Sequence, residues 1–508
     1  MRLIQSLLKQ TAYPHSVSAI ELIETHISWV LLTGQFVYKI KKAVQFDFLD
    51  FSTLEKRRFY CEEEWRLNRR FAPELYMQVV PITGTIENAK INGDGEIIEY
   101  AVQMRQFPAH QLLSKMANHG CLNAEMIDQL ADIVANFHRD ANVAISSNHY
   151  GTADEIHRWF LGNFAPIRSL VENAEFLQQL ARLELWGEQE LSKITPLMQH
   201  RKQLGFIREC HGDLHLGNIA LFENRVLPFD GIEFNPALRW IDVMNEIAFV
   251  VMDLQQRNLK PFATRFLNHY LSQTGDYSGL SLLRYYLVYR ALVRAKIALL
   301  RWQQHQNPPD FQEAEHYANL AEAFTTPKTP VLLITHGYSG SGKSTLSRKV
   351  AEMFGAIHLR SDVERQRLFA TSKNQDNYST EKSQQIYQQL ADFAAPILDA
   401  GFSVFVDATF LKYEQRVLFQ KLAAEKQVKF LILDFQATEE ELSRRIIQRQ
   451  QFGHDASEAT LTVLQYQLQT AQPLTLAEQK QTLSAESGAE NISQYLFLFQ
   501  GEHHDRTN

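Results

Sequence analysis

Cysteine is scarce in this chain. Three in 508 residues (Cys61, Cys121 and Cys210), none in CxxC spacing, exclude a disulfide framework and a thiolate zinc site, and fit a reducing, cytoplasmic setting. A basic excess is also missing: 51 Lys and Arg stand against 58 Asp and Glu, a net charge of −7. No chain-wide positive field therefore exists for nucleic acid or an anionic membrane surface. Nor is there a long unbroken apolar run. LSLLRYYLVYRALVRAKIALLRW at 280–302 comes nearest, but Arg284, Arg290, Arg294, Lys296 and Arg301 interrupt it. Each such charge costs roughly 3 kcal/mol at mid-bilayer, so the stretch predicts a helix with a buried face in a non-membrane domain. The opening MRLIQSLLKQTAYPHS is too polar for a secretory core and predicts a short amphipathic helix without export. No internal repeat or low-complexity block occurs, which excludes solenoids and propellers.

What is present is enough apolar material, 45% hydrophobic residues against 21% charged, for two or three ordinary domains. One linker stands out, TTPKTP at 325–330, placing a boundary between a domain 1–325 and a domain 330–508. Upstream, IELIE, WVLL, FVYKIKK and EIIEYAVQM read as strands around a helix rich in Glu and Arg at 53–71. Residues 110–205 turn mainly helical; the short strands IALFE and RVLPFD then precede a second helical run to 324. Downstream, VLLIT, SVFVDA and KFLILDF alternate with helical segments, the rhythm of a parallel sheet with helices on both faces.

Two phosphate-handling signatures sit in these halves. In HGDLHLGNI (211–219), Asp213 and Asn218 share a tight loop, and FDG follows with Asp230 at a strand end. Phosphoryl transfer demands alignment and charge neutralisation more than covalent chemistry. Asp213 suits the group that orients an acceptor hydroxyl and takes its proton, while Asn218 and Asp230 offer hard oxygen ligands to Mg²⁺. GYSGSGKST (337–345) meets GxxxxGK[ST] in full, with a strand leading in and a helix leading out. Gly337, Gly340, Ser341 and Gly342 would cradle phosphates, Lys343 would reach the β and γ oxygens, and Ser344, followed by Thr345, would ligate Mg²⁺. Asp407, ending the strand in SVFVDA, suits a second magnesium carboxylate, and Asp362 a base for an acceptor hydroxyl. Arg445 and Arg449 share a helix face and suit a lid over the transferring phosphoryl group, although a solvated helix face reads the same way.

The first signature resembles the aminoglycoside phosphotransferase and choline kinase group, relatives of the protein kinases. That resemblance implies a bilobal kinase-like fold, with His211 at the head of the loop and a strand lysine paired to a helix glutamate. Lys39 in FVYKIKK is the candidate lysine, with Lys41 and Lys42 as solvated edge charges. Glu62 or Glu63 is the favoured partner within CEEEWRLNRR, since consecutive helical positions diverge by about 100° and only one can face the lysine. No GxGxxG precedes the lysine strand, leaving ETHISWVLLTG at 24–34 as the only phosphate cover. Asp242 in RWIDVMNE matches a further aspartate of such enzymes, and a helix cap equally well.

The second signature, over roughly residues 330–475, resembles P-loop kinases such as polynucleotide 5′-kinase, zeta toxins and gluconate kinase, which implies a doubly wound parallel sheet and a lid followed by GHDASEAT at 453–460. Together with LDFSTLEKRR and RLNRRFAPELY, the order of the two halves resembles a bacterial fusion family in which an aminoglycoside phosphotransferase-like domain precedes a P-loop ATP-binding domain. The expectation is an α/β and α+β two-domain, Mg²⁺- and ATP-dependent phosphotransferase acting on hydroxyl groups of small molecules. Two other readings stay open: one active kinase with the other domain a regulatory ATP-binding module, or a polynucleotide or nucleotide-sugar kinase in the C-terminal half. Arg360, Arg365, Arg367 and Lys373 are compatible with a phosphorylated substrate there, but a polynucleotide groove calls for a broader basic stripe with aromatics.

Overall fold

The computed structural model describes residues 2–46, 49–145, 147–326, 328–369, 380–452 and 460–500. They form two compact units, one of Met1–Leu177, Gly187–Asp253 and Arg290–Gln306, the other of Gln178–Trp186, Leu254–Tyr289 and Asn307–Asn508.

The first unit begins with a six-stranded antiparallel sheet. Its strands are β1 (Glu21–Glu24), β2 (Ser28–Leu32), β3 (Phe36–Lys41), β4 (Tyr76–Thr85), β5 (Asn88–Ile91) and β6 (Ile97–Arg105), in the order β1-β2-β3-β6-β4-β5. Tyr38 and Ile40 of β3 pack with Leu31, Val80 and Ile82 in a core that also takes Ile4 and Leu7 of the N-terminal helix Arg2–Leu7. Because strand faces alternate, Lys39 and Lys41 point the other way, toward the helix Leu54–Asn68. That helix starts at Thr53, whose hydroxyl accepts from Lys56 N–H, and it buries the stripe Arg57, Cys61, Glu64 and Asn68.

β4 and β5 carry no clear strand signal in the sequence. Pro81 in the middle of β4 has no N–H to give the ladder, and the pairing with β6 is irregular at Tyr76/Gln78 and Ile82/Thr83, so the period-2 signal is broken. Helices then dominate, and the hairpin β7 (Ile219–Phe222) and β8 (Arg225–Pro228) carries both the HGDLHLGNI loop, leading into β7, and FDG, leading out of β8, at its open end. A sheet lobe followed by a helical lobe with this loop gives the unit its protein-kinase-like, bilobal arrangement.

The second unit is built on five parallel strands, β9 (Val331–His336), β10 (Ile357–Arg360), β11 (Val404–Asp407), β12 (Lys429–Asp434) and β13 (Thr482–Ser484), ordered β10-β11-β9-β12-β13. Successive residues of β9, β11 and β12 are buried alike, as in a sheet covered on both faces. Helix Lys343–Phe354 supplies Val350, Ala351 and Phe354 to one face, and helix Gly488–Gln500 adds Ile492 and Leu496. The edge strand β10 is closed by Asn268 of helix Lys260–Thr274, which donates to Ala356 C=O at 2.9 Å and accepts from His358 N–H at 2.9 Å. β13 and the final helix lie beyond residue 475, past the stretch in which the second signature's resemblance runs. No described helix is long and apolar enough to cross a membrane.

Candidate active sites

The HGDLHLGNI loop is held from beneath by one buried carboxylate. Glu246, fully buried on helix Val243–Gln256, accepts from the backbone N–H groups of His211 (2.8 Å) and Gly212 (2.7 Å). Arg290 donates to Gly212 C=O at 3.0 Å, and Asp253 accepts from Leu216 N–H at 2.8 Å. The loop backbone is thereby fixed on both its donor and its acceptor side.

Asn218 Nδ2 donates to the Asp213 carboxylate at 2.8 Å and to its carbonyl at 3.0 Å, bonds that do not use Asn218 Oδ1, a hard oxygen donor. His215 Nε2 lies 3.6 Å from Asp213 Oδ2 and takes a bond from Arg294 at 3.3 Å. Burial would raise the Asp213 carboxyl, but His215, Arg294 and His211 outweigh it and hold the group well below the usual carboxylate range. Asp213 is therefore ionised at neutral pH.

Hairpin register brings the second acidic residue alongside. Phe229 N–H donates to Asn218 C=O at 2.9 Å, setting Asp230 next to Asn218. Asp230 adopts a left-handed backbone (φ 62°), its N–H donating to Tyr76 hydroxyl at 3.1 Å while Gly231 N–H donates to Asn68 Oδ1 at 2.7 Å. These contacts account for the Asn and Tyr of RLNRRFAPELY.

Lys39 forms an ion pair with Asp230 and lies 2.9 Å from Glu64 Oε1. Glu62 and Glu63 are thus not its partners: Glu62 pairs with Arg58 and Glu63 with Arg66 on other faces of the helix. The buried stripe through Cys61 and Asn68 selects Glu64, and Cys61, three residues before it, was the signal available in the sequence. Lys41 is also not a solvated edge charge. It is 1% exposed, pairing with Glu64 Oε2 at 2.8 Å and with Glu233. Lys42 does lie toward the edge, on Glu24 at 2.6 Å. Asp242 serves two structural ends, a buried bidentate pair with Arg201 (2.8 Å for both bonds) and a bond from Met244 N–H at 2.8 Å at the start of its helix.

In the second unit, Gly340, Gly342, Lys343, Ser344 and Thr345 open onto a cavity of about 650 Å³ that Asp362, Arg365, Asp407 and Arg445 also reach. Gly337 and Ser341 do not line it. Two glycines have no substitute here: a Cβ on Gly337 (φ +148°) would sit 2.7 Å from Phe435 C=O, and one on Gly340 (φ +86°) 2.9 Å from Leu442 C=O. Lys343 Nζ donates to Tyr338 C=O at 2.6 Å, and Gln467 braces the loop by accepting from Ser339 N–H at 3.0 Å.

Asp407 is buried at the end of β11, 3.5 Å from His358 and in contact with the Ser344 hydroxyl. Burial opposes its ionisation, but His358, Arg360 and Ser344 lower its pKa to about 2. Its buried Oδ2 makes no well-formed hydrogen bond, with His358 Nε2 at 3.5 Å and Arg360 Nε at 3.9 Å beside it, and this carboxylate next to a serine hydroxyl fits a hard divalent cation. Arg445 donates to Gly340 C=O at 3.4 Å and pairs with Glu441, so it stands over the loop. The side chain of Arg449, and GHDASEAT up to residue 459, lie outside the described residues, as does Lys373. Arg367 faces away from the cavity, onto Glu364 and Ser272 C=O.

Residues 332–474 match the protein-family model described as an AAA domain. Sheet order, loop and family match together make this region a P-loop nucleotide-binding domain, and the chain as a whole joins it to a protein-kinase-like unit. Over its length the chain is similar to uncharacterized proteins of Mycobacterium tuberculosis and Mycobacterium bovis, each 29% identical over 446 residues, spanning 86% of this chain and 88% of the relative. Among solved structures it is similar to a choline/ethanolamine kinase family protein from Mesorhizobium loti (10% identity, 64% of this chain and 95% of that one, TM-score 0.41). A thermostable mutant of an aminoglycoside phosphotransferase also aligns (14%, 63% and 97%, TM-score 0.40). So does the Mycobacterium tuberculosis APS kinase in complex with AMPPNP and APS (20%, 35% and 100%, TM-score 0.28).

Proposed function

We propose that the chain is an ATP-dependent phosphotransferase with two nucleotide sites, each passing the γ-phosphoryl group to a hydroxyl of a small-molecule acceptor. One observation carries this reading. Each unit gathers, from segments far apart in sequence, a lysine able to hold phosphate oxygens and a carboxylate able to hold a metal, with a second carboxylate of a kind suited to take a hydroxyl proton. In the first unit these are Lys39, Asp230 and Asp213; in the second, Lys343, Asp407 and Asp362. Mg²⁺, held by Asn218 and Asp230 in one site and by Ser344 and Asp407 in the other, would neutralise phosphate charge.

Asp213 then orients the acceptor hydroxyl and takes its proton, and Lys39, kept in line by Glu64, steadies the nucleotide phosphates. At the P-loop, Asp362 plays the base, Arg445 offsets charge on the transferring group, and Arg449 is assigned the same role from its place one turn on. Functionally the division falls at the linker, 1–325 and 330–508. The buried thiols Cys61 and Cys210 suit a cytoplasmic setting.

The test is ATP turnover with Mg²⁺ against a panel of hydroxylated metabolites and aminoglycosides. Asp213→Asn should lower transfer by the first unit ~10²- to 10⁴-fold with nucleotide affinity kept, the ordinary worth of a positioned base. Asp362→Asn should do the same for the second unit. Transfer that survives both substitutions undiminished sinks the proposal. Loss confined to one of them, with nucleotide still bound at the other site, would favour a single active kinase with a regulatory nucleotide-binding partner.

A further inference from the structure

The five charges around Lys39 are graded from open to sealed. Asp230 is 42% exposed and Lys39 12%, whereas Glu64, Lys41 and Glu233 are 0%, 1% and 4% exposed. Lys41 stands 5.0 Å over the Phe51 ring at the closed end, where no ligand can touch it. Glu64 lies between, one oxygen toward Lys39 (2.9 Å) and the other toward Lys41 (2.8 Å).

The charge balance is informative. Two lysines and three carboxylates sum to −1, a cluster that welcomes a cation. Without Asp230 the remaining four, Lys39, Lys41, Glu64 and Glu233, sum to zero. Buried charge left uncompensated is costly, whereas a balanced set is not. Asp230 can therefore leave Lys39 for a metal ion without stranding a charge in the interior, and Glu64, pinned through its second oxygen, cannot swing after it.

We propose that Lys41 and Glu233 are positioning residues, a sealed counter-ion pair that anchors Glu64 so that Lys39 stays aimed at the nucleotide phosphates once Asp230 turns to the metal. The proposal rests on the reading of the first unit as a nucleotide site. Neither residue touches nucleotide; both act through Glu64.

The test uses the full chain carrying Lys343→Ala, which silences the P-loop, titrated with a fluorescent N-methylanthraniloyl ATP at fixed Mg²⁺. Lys39→Met is the reference and should abolish binding. Lys41→Met/Glu233→Gln removes the sealed pair without altering net charge. Its melting temperature should stay near the parent's, because a neutral pair replaces a buried ionic one, yet its nucleotide Kd should rise about tenfold, roughly 1.4 kcal/mol. A folded double variant with a Kd within about twofold of the parent overturns the proposal.

Glu233→Gln alone gives a second readout independent of the first. With one carboxylate fewer, Asp230 is needed to balance the lysines, so the Mg²⁺ concentration for half-maximal nucleotide binding should rise several-fold; an unchanged Mg²⁺ requirement also overturns it. If the Lys343→Ala parent binds no nucleotide, or Lys39→Met binds as well as the parent, the nucleotide-site reading itself fails. That result is distinct from failure of the anchoring role.

Discussion

Asp407 and Glu64 illustrate how far a single carboxylate can be set by its neighbours. Asp407's pKa falls from 3.8 to about 2 because His358, Arg360 and Ser344 overcome the effect of burial. A carboxyl depressed by folding contributes stability that is complete above its unfolded value and is lost as pH falls through the folded one. The P-loop unit should therefore lose this contribution between about pH 4 and pH 2, and Asp407→Asn should flatten that part of an acid-denaturation curve. A variant curve parallel to the wild type would contradict the assignment.

Glu64 carries a larger structural burden, being the shared counter-ion of two buried lysines. Glu64→Gln should cost ~3–5 kcal/mol in denaturant unfolding, the price of an uncompensated buried charge. Glu62→Gln, which loses only an exposed i,i+4 pair with Arg58, should change stability by less than ~0.5 kcal/mol.

At the scale of elements, the same helix shows where sequence reading succeeds and where it stops. Residues 53–71 announce a helix through Thr53 and a dense run of helix formers, and it forms as Leu54–Asn68. Its orientation was harder to read, because three consecutive glutamates carry equal charge and only packing through Cys61 and Asn68 tells them apart. Lys41 is hidden for a related reason: nothing local to VYKIKK reveals that Glu233, 192 positions on, will enclose it. The P-loop was legible in full, since its glycines and lysine are dictated by local backbone geometry around a phosphate. The strand signal of β4 is hidden by Pro81, and Glu246, the brace of the HGDLHLGNI loop, closes RWIDVMNE with nothing local to mark it as that brace.

Helix Leu280–His305 explains the charges that break its apolar run. Arg290, 5% exposed, ties Gly212 C=O (3.0 Å) and Asn245 C=O (3.3 Å) and lies over the Phe249 ring. Arg290→Met keeps much of the volume but leaves those carbonyls without their charged donor. A loss of ~1–3 kcal/mol is expected, with weaker turnover at Asp213 as the loop backbone loosens. A variant with wild-type stability and turnover would remove Arg290 from the account of that loop.

At the scale of the whole molecule, the two proposed sites are built by unrelated means. One uses an antiparallel sheet and a buried lysine–glutamate network to present Lys39; the other uses the end of a parallel strand and the start of a helix to present Lys343. The first depends on long-range ion pairs and is only partly legible in sequence; the second has a phosphate loop set by local geometry and legible in sequence, while its last strand and final helix carry no such signal.

The proposed pair of nucleotide sites on one chain is open to a count of bound nucleotide. Equilibrium dialysis with a non-hydrolysable ATP analogue and Mg²⁺ should find two nucleotides per wild-type chain, one for Lys39→Ala, one for Lys343→Ala, and none for the double variant. A single nucleotide per wild-type chain, unchanged by Lys39→Ala and abolished by Lys343→Ala alone, would contradict it.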